Sequence, residues 1–224
     1  MVETVEQRTL SWYRMRLGYI TGSQVGLLMK SGKSCDFSET AKSYIYQVAA
    51  ERSMNPDIIN DDELFGMYLA QTEVTSKAMR FGTEQEANAR RLFSKIHDVN
   101  VSETGSCRHS SIPYFASSPD GIFIDEKGGR VCLEIKCPVQ STFMRYKDEI
   151  YDNESLLKVK PEYFYQCMAH MMCTDAYKTV FIAYNPFQRD PIHIVPIYPD
   201  KNVFSSMEGR IRMANEIITQ IIDE

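Results

Sequence analysis

The sequence predicts an α/β fold, a mixed central β-sheet flanked by helices, from the order in which its hydrophobic periods change. The first hundred residues read as helical. From Val99 to Lys136 the pattern turns to short runs of β-branched and aromatic residues, and after Lys136 helical and strand patterns alternate. Helices, then a sheet with an inserted helix, then a closing helix describe an α/β sandwich.

Each element follows from local signals. Ser11 to Met15 reads as a short turn or helix, and Thr21-Gly22-Ser23 as the N-cap of a helix running to Met29. Residues 31–38 form a polar loop. From Thr40 to Met54, Ile45, Val48 and Ala49 fit a helical period, Asn55 to Asp62 breaks it, and helices resume from Glu63 through His97. Within that stretch Phe81-Gly82-Thr83 opens a helix, with Thr83 and Glu86 spaced as a capping box. Further helices are predicted over Ser141–Asp148 and Pro161–Cys173, strands over Lys178–Tyr184 and Pro191–Ile197, and a last helix over Asn202–Ile222. There is no internal repeat or long linker, so residues 1–224 are expected to form one domain.

No stretch approaches a membrane span, and the N-terminus lacks the basic-then-apolar layout of a signal peptide. A cytoplasmic protein is expected, with no membrane partner. Six cysteines, at 35, 107, 132, 137, 167 and 173, form no CxxC pair and read as reduced packing residues. A net charge of −5 does not advertise nucleic-acid binding. The relevant quantity is local potential, however, and basic residues cluster at Arg14/Arg16, Lys30/Lys33, Arg90/Arg91/Lys95, Arg145/Lys147 and Lys158/Lys160. Taken singly, each cluster reads as a solvated helix face.

The chemistry is concentrated in two short segments, Ser118-Pro119-Asp120-Gly121 and Leu133-Glu134-Ile135-Lys136-Cys137-Pro138. They flank a Glu126-Lys127-Gly128-Gly129 turn and so read as an antiparallel hairpin. Opposed residues in a hairpin have numbers of constant sum. The midpoint of Asp120 and Glu134 is Lys127, in the turn, so the two carboxylates should face each other, at about 5 Å between Cβ atoms. Such a pair repels unless a cation intervenes. Glu134 and Lys136, two apart, project from one face, while Leu133 and Ile135 point into a core. Taken alone, Ser-Pro-Asp-Gly is a good type I turn and Leu-Glu-Ile-Lys an ordinary strand. Together at this spacing they point to a hydrolytic metal site. Glu86 has two readings, a cap residue or an acid at a helix start aimed at a metal.

Pro119-Asp120 with Glu134-Ile135-Lys136 resembles the PD-(D/E)xK nuclease superfamily. Within it, four ordered blocks resemble the exonuclease of phage lambda and the related viral recombinase nucleases. These are Trp12 through Arg16-Leu17-Gly18 to Ser23, Phe81-Gly82 through Glu86 to Ala89-Arg90, the hairpin, and Tyr165-Gln166 with His170. The resemblance implies a restriction-endonuclease-like core. It also implies that Glu86, Asp120 and Glu134, with the Ile135 carbonyl, hold one or two Mg²⁺ ions, with Mn²⁺ as substitute. Hard carboxylate oxygens suit those ions. Lys136 would orient or deprotonate the attacking water, Gln166 would hold the site's geometry, and Arg16 with Ser23 would bind a terminal 5′-phosphate. On residues alone Arg16 reads as a surface arginine and Ser23 as a plain N-cap. One departure stands out: the arginine that follows the Glu-x-Lys motif in the family prototype aligns only approximately with Arg145.

The expected function is a Mg²⁺-dependent, processive 5′-to-3′ exonuclease acting on double-stranded DNA ends. It would leave 3′ overhangs for a single-strand annealing protein in phage-type recombination. The resemblance also implies a homotrimer. The rival readings are an endonuclease of the same superfamily and a catalytically silent end-binding protein.

Overall fold

A computed structural model describes residues 5–32, 37–72 and 76–223, the side chains of 77–79 excepted. Helices α1 (Leu10–Arg16), α2 (Val25–Leu28), α3 (Glu39–Arg52), α4 (Pro56–Asn60), α5 (Asp62–Thr72) and α6 (Lys77–His97) precede most of the strands, with β1 (Ile20–Thr21) between α1 and α2. Then come β2 (Cys107–Arg108), β3 (Phe115–Ser117), β4 (Gly121–Ile124) and β5 (Arg130–Lys136). Helices α7 (Gln140–Glu149), α8 (Asn153–Val159) and α9 (Pro161–Thr174) follow, then β6 (Lys178–Tyr184), β7 (Ile192–Ile197) and α10 (Lys201–Asp223).

The main sheet runs β4-β5-β6-β7 and is mixed: β4 and β7 lie antiparallel to their neighbours, while β5 and β6 are parallel, joined by a crossover through α7, α8 and α9. Its pleat divides two apolar clusters. Val131, Leu133 and Ile135 of β5 join Val180 and Ile182 of β6 against Ala89 and Phe93 of α6. Cys132, Phe181 and Ala183 face the other way, into the larger cluster built by α2, α3, α9 and α10. Side chains therefore alternate as the pattern of β5 requires, and a one-residue slip would exchange the two faces. The predicted hairpin register holds: Gly121 pairs with Leu133 and Ile124 with Arg130, so the pairing sums to a constant that sets Asp120 opposite Glu134. Gly128 at φ +78° supplies the left-handed turn residue.

Local differences from expectation have physical causes. The region from Asn55 to Asp62 is not a plain break. Asn55 caps α4 through a bond from the Asp57 amide, and Pro56 occupies the first helical turn, where its missing N–H costs nothing. Ser23 is not an N-cap. Ile20 and Thr21 pair in parallel with Phe115 and Ala116, and α2 begins only at Val25, after Gln24, with no side-chain cap. Thr83 and Glu86 do not form a capping box, because α6 already starts at Lys77 and carries both residues in its interior. The short strand β1 and helix α8, whose Asp152–Ser155 capping box is well formed, carried no periodic signal long enough to predict them. Lys33 and Cys35 lie outside the described residues; the other five cysteines are free thiols.

A small second sheet, β1-β3-β2, carries the chain past α9 at close quarters. Gly22 marks the tightest approach. A Cβ there would collide with Ser117 Oγ and stand 3.1 Å from Ala169 Cβ. Gly22→Ala should therefore destabilise the protein by about 1–3 kcal/mol, as overpacking does. Urea unfolding checks this, and a midpoint equal to that of the wild type would contradict it.

Candidate active site

The centre of the site is a carboxylate with no access to water. Glu134 of β5 is 0% exposed. The pleat aims it away from Leu133 and Ile135, at α9, where His170 Nε2 donates to its Oε2 at 2.6 Å. His170 Nδ1 in turn accepts from Ser117 Oγ at 2.6 Å, which fixes the ring's tautomer and orientation. On the other side Lys136 Nζ stands 2.5 Å from Glu134 Oε1. That contact is one of charge, since Oε1 has no aligned hydrogen-bond donor. Lys136 also reaches Gln166 Oε1 at 3.5 Å and lies 4.8 Å from the Tyr163 ring centroid.

Asp120 sits at the mouth of the hairpin. Its backbone N–H donates to Leu133 O and its Oδ2 accepts from the Ile135 amide at 2.6 Å. Its carboxyl is thus locked to the strand that carries Glu134 and Lys136. Burial, with the charges of Glu134 and Glu86 added, pushes Asp120 well above the usual carboxylate range. Glu134 behaves oppositely: burial would raise it, but Lys136 and His170 bring it below its ordinary value. Burial would likewise depress the Lys136 ammonium, yet Glu134 and Asp120 more than reverse this and raise it. Two facing acids in this state are short of positive charge.

A second feature adjoins the hairpin. A cavity of about 310 Å³ is lined by Trp12, Arg16, Thr21, Ser23 and Tyr44, among others. Arg16 projects from the end of α1 with its guanidinium over the Trp12 ring at 4.2 Å. Its Nη1 donates to Ser118 Oγ at 2.9 Å and its Nη2 lies 3.5 Å from Ser23 Oγ. Among the described residues no carboxylate pairs with it. Withdrawal from water lowers its pKa, an effect opposed by Tyr44, Tyr13 and Glu51. A half-buried, forked cation beside two hydroxyls is suited to an anion. No helix N-terminus helps here, because α2 begins beyond Ser23 and is one turn long.

Residues 11–177 match the model of the YqaJ-like viral recombinase domain. The chain belongs to this family. Its fold is also similar to that of an alkaline exonuclease, LHK-Exo, from Laribacter hongkongensis, with 25% identity, a TM-score of 0.75, and 96% of this chain and 95% of that one covered. A structure of the same enzyme in complex with dAMP matches equally. A phage-related exonuclease from Haemophilus somnus 129PT shares the fold at 14% identity and a TM-score of 0.65, over 92% of this chain and 95% of that one. No curated protein matches in sequence. Family and fold together support a nuclease enzyme of the PD-(D/E)xK type.

The residues singled out in the sequence are thus partly gathered. Asp120, Glu134, Ile135, Lys136 and Gln166 converge on one hairpin and its facing helix, and Arg16 and Ser23 meet at the neighbouring cavity. Glu86 lies close enough for its charge to act on Asp120, but its Oε2 is held by Arg8 Nη2 at 2.6 Å. Arg145 is drawn elsewhere, to Glu149 one turn along α7. Most other basic clusters are neutralised locally, Arg14 by Asp62, Arg90 by Glu103, Lys147 by Asp190 and Lys160 by Glu162. Four participants had no role assigned from sequence. Ser118 and His170 stand in the motifs quoted above, whereas Ser117 and Arg8 gave no signal.

The donor set fits a hard divalent cation. It offers carboxylates and a carbonyl, two facing acids, and a buried Glu134 oxygen without an aligned donor. Among the described residues no three His, Cys, Asp or Glu side chains already form a cage. Two of the acids are instead ion-paired, Glu86 with Arg8 and Glu134 with Lys136.

Asp120 carries a stability consequence. A carboxyl whose folded pKa is raised costs stability once the pH exceeds its unfolded value of about 4, and the cost grows until the folded pKa is passed. Asp120→Asn keeps an acceptor for the Ile135 amide and removes that cost. In EDTA at neutral pH it should melt higher than wild type, by about 2–4 °C for each kcal/mol of relieved charge burial and repulsion. A lower melting temperature than wild type under those conditions would contradict the assignment.

Proposed function

We propose that residues 1–224 act as one exonuclease domain that removes nucleotides from the 5′ ends of double-stranded DNA with Mg²⁺, or Mn²⁺ in its place, and leaves 3′ single strands. The observation that carries this reading is adjacency. Ser118, which bonds Arg16 at the anion-suited cavity, is two residues from Asp120 in the short connection between β3 and β4. A phosphate held by Arg16, Ser23 and Ser118 would therefore set the next phosphodiester of the strand beside Asp120, Glu134 and Lys136. The dAMP bound to the Laribacter relative supports a mononucleotide product.

In this reading Asp120, Glu134, the Ile135 carbonyl and Glu86 hold the metal, which would stabilise the attacking and leaving oxygens. Lys136 keeps its proton between two acids, so its part is to orient the attacking water and offset charge rather than to take a proton. Gln166 and Tyr163 hold the ammonium in place. Ser117 and His170 fix the Glu134 carboxylate. The 5′ preference rests on Arg16, with Arg145 outside the pocket. Processive action, a homotrimer, a single-strand annealing partner and a cytoplasmic location complete the proposal. No helix among the described residues is long and apolar enough to cross a membrane.

Linear duplex bearing 5′-phosphate, 5′-hydroxyl or 3′-terminal label, alongside a covalently closed circle, tests the reading. Linear DNA should be degraded, the closed circle spared and the 3′ label released last. A terminal phosphate carries more charge than an internal one, so phosphorylated ends should be favoured. Arg16→Ala should slow their digestion about tenfold or more, with a much smaller effect on hydroxyl ends. Cleavage of the circle would favour an endonuclease, and equal wild-type rates on the two ends would remove the role of Arg16.

A further inference from the structure

Arg8 is the least expected participant in the site. It lies outside the span matched by the family model, which begins at residue 11. Its backbone is left-handed, with φ at 68°, a region in which L side chains other than Asn and Asp are uncommon and which carries a conformational cost. The segment is nonetheless firmly placed. Gln7 Nε2 donates to Thr104 O at 3.0 Å and to Pro119 O at 2.9 Å, tying the residue before Arg8 to the residue before Asp120. Arg8 then extends to Glu86 at 2.6 Å and also lines the cavity that holds Arg16. Arg8 thus lines the cavity beside Arg16, bonds Glu86 and is near enough to Asp120 for their charges to interact.

We propose that Arg8 is a phosphate-binding residue of the substrate path, held on Glu86 in the metal-free protein and released to DNA when a divalent cation takes that carboxylate. The inference rests on the exonuclease reading above. Glu86 cannot serve a metal and Arg8 fully at once, and the metal, with the higher charge, is the stronger partner for a hard oxygen. A guanidinium that loses its carboxylate presents the same fork to a phosphodiester, whose oxygens match it equally well. The terminal phosphate at Arg16 and the scissile one at Asp120 are joined by a single nucleotide, and Arg8 borders both positions. Metal and DNA binding would then support each other through one side chain, a coupling that works equally in both directions.

Arg8→Gly suits the left-handed backbone and so removes the side chain without threatening the fold, while Arg8→Lys keeps the charge but not the fork. Two readouts do not depend on turnover. Calorimetric titration of Mn²⁺ into DNA-free protein should show the Gly variant binding about two- to fivefold tighter than wild type, as loss of a partly exposed competing ion pair allows. With Ca²⁺ in place of the catalytic ion, its affinity for a 5′-phosphorylated duplex end should fall about tenfold. The slope of log affinity against log salt should shrink by about 0.9, one phosphate contact, with the Lys variant keeping the wild-type slope. Wild-type Mn²⁺ affinity and an unchanged salt slope in Arg8→Gly would overturn the inference while leaving the exonuclease reading intact. A wild-type protein inert on linear duplex would sink that reading and this inference with it.

Discussion

Everything in the site depends on burying Glu134. A carboxylate removed from water costs several kcal/mol unless its charge is met, and here His170 meets one oxygen and Lys136 the other. Meeting it dictates much of the surrounding architecture. His170 must come from α9, so α9 must lie across β5 at a fixed rotation. Ser117 must reach the far side of the imidazole, so β3 must run past α9. Gly22 must lack a side chain, because β1 passes Ser117 too closely to admit one. The small sheet, easily mistaken for decoration, is the scaffold that holds the histidine.

The same burial separates the two acids electrostatically. Glu134 is fully buried yet is brought down by the Lys136 ammonium and the His170 hydrogen bond, whereas Asp120 is driven up, first by desolvation and then by the charges of Glu134 and Glu86. Asp120 also spends one oxygen on the Ile135 amide, which ties the turn to the strand. The two facing acids therefore differ: Glu134 is compensated by its neighbours, while Asp120 is raised by burial and by the negative charge around it. The cations of this region are Lys136 on β5, paired with Glu134, and Arg8 of the N-terminal segment, paired with Glu86.

Much of this could be read from the residues. The hairpin register followed from the position of one turn, because a period of two leaves no freedom once an apolar face is defined. Strand β6 and the long helices α3 and α10 were legible for the same reason, a sustained period. Where the reading went astray, the local signal was ambiguous. Thr83 and Glu86 have capping-box spacing, but spacing does not say where a helix begins, and α6 starts six residues earlier. Ser23 follows a glycine before an apolar run, as a cap would, yet its neighbours are spent on pairing with β3. Ser117, Ser118 and Arg8 were invisible as a group. Their roles come from contacts between segments far apart in sequence, for which a single sequence has no sign.

The central claim is that the Asp120–Glu134 hairpin is built around a divalent cation. Anomalous diffraction from crystals of the wild-type protein soaked in Mn²⁺ addresses it directly. The account predicts a manganese peak at about 2.0–2.2 Å from carboxylate oxygens of Asp120 and Glu134, within reach of the Ile135 carbonyl and Glu86. A fully soaked crystal with no anomalous density at the hairpin would contradict it, as would manganese bound only elsewhere.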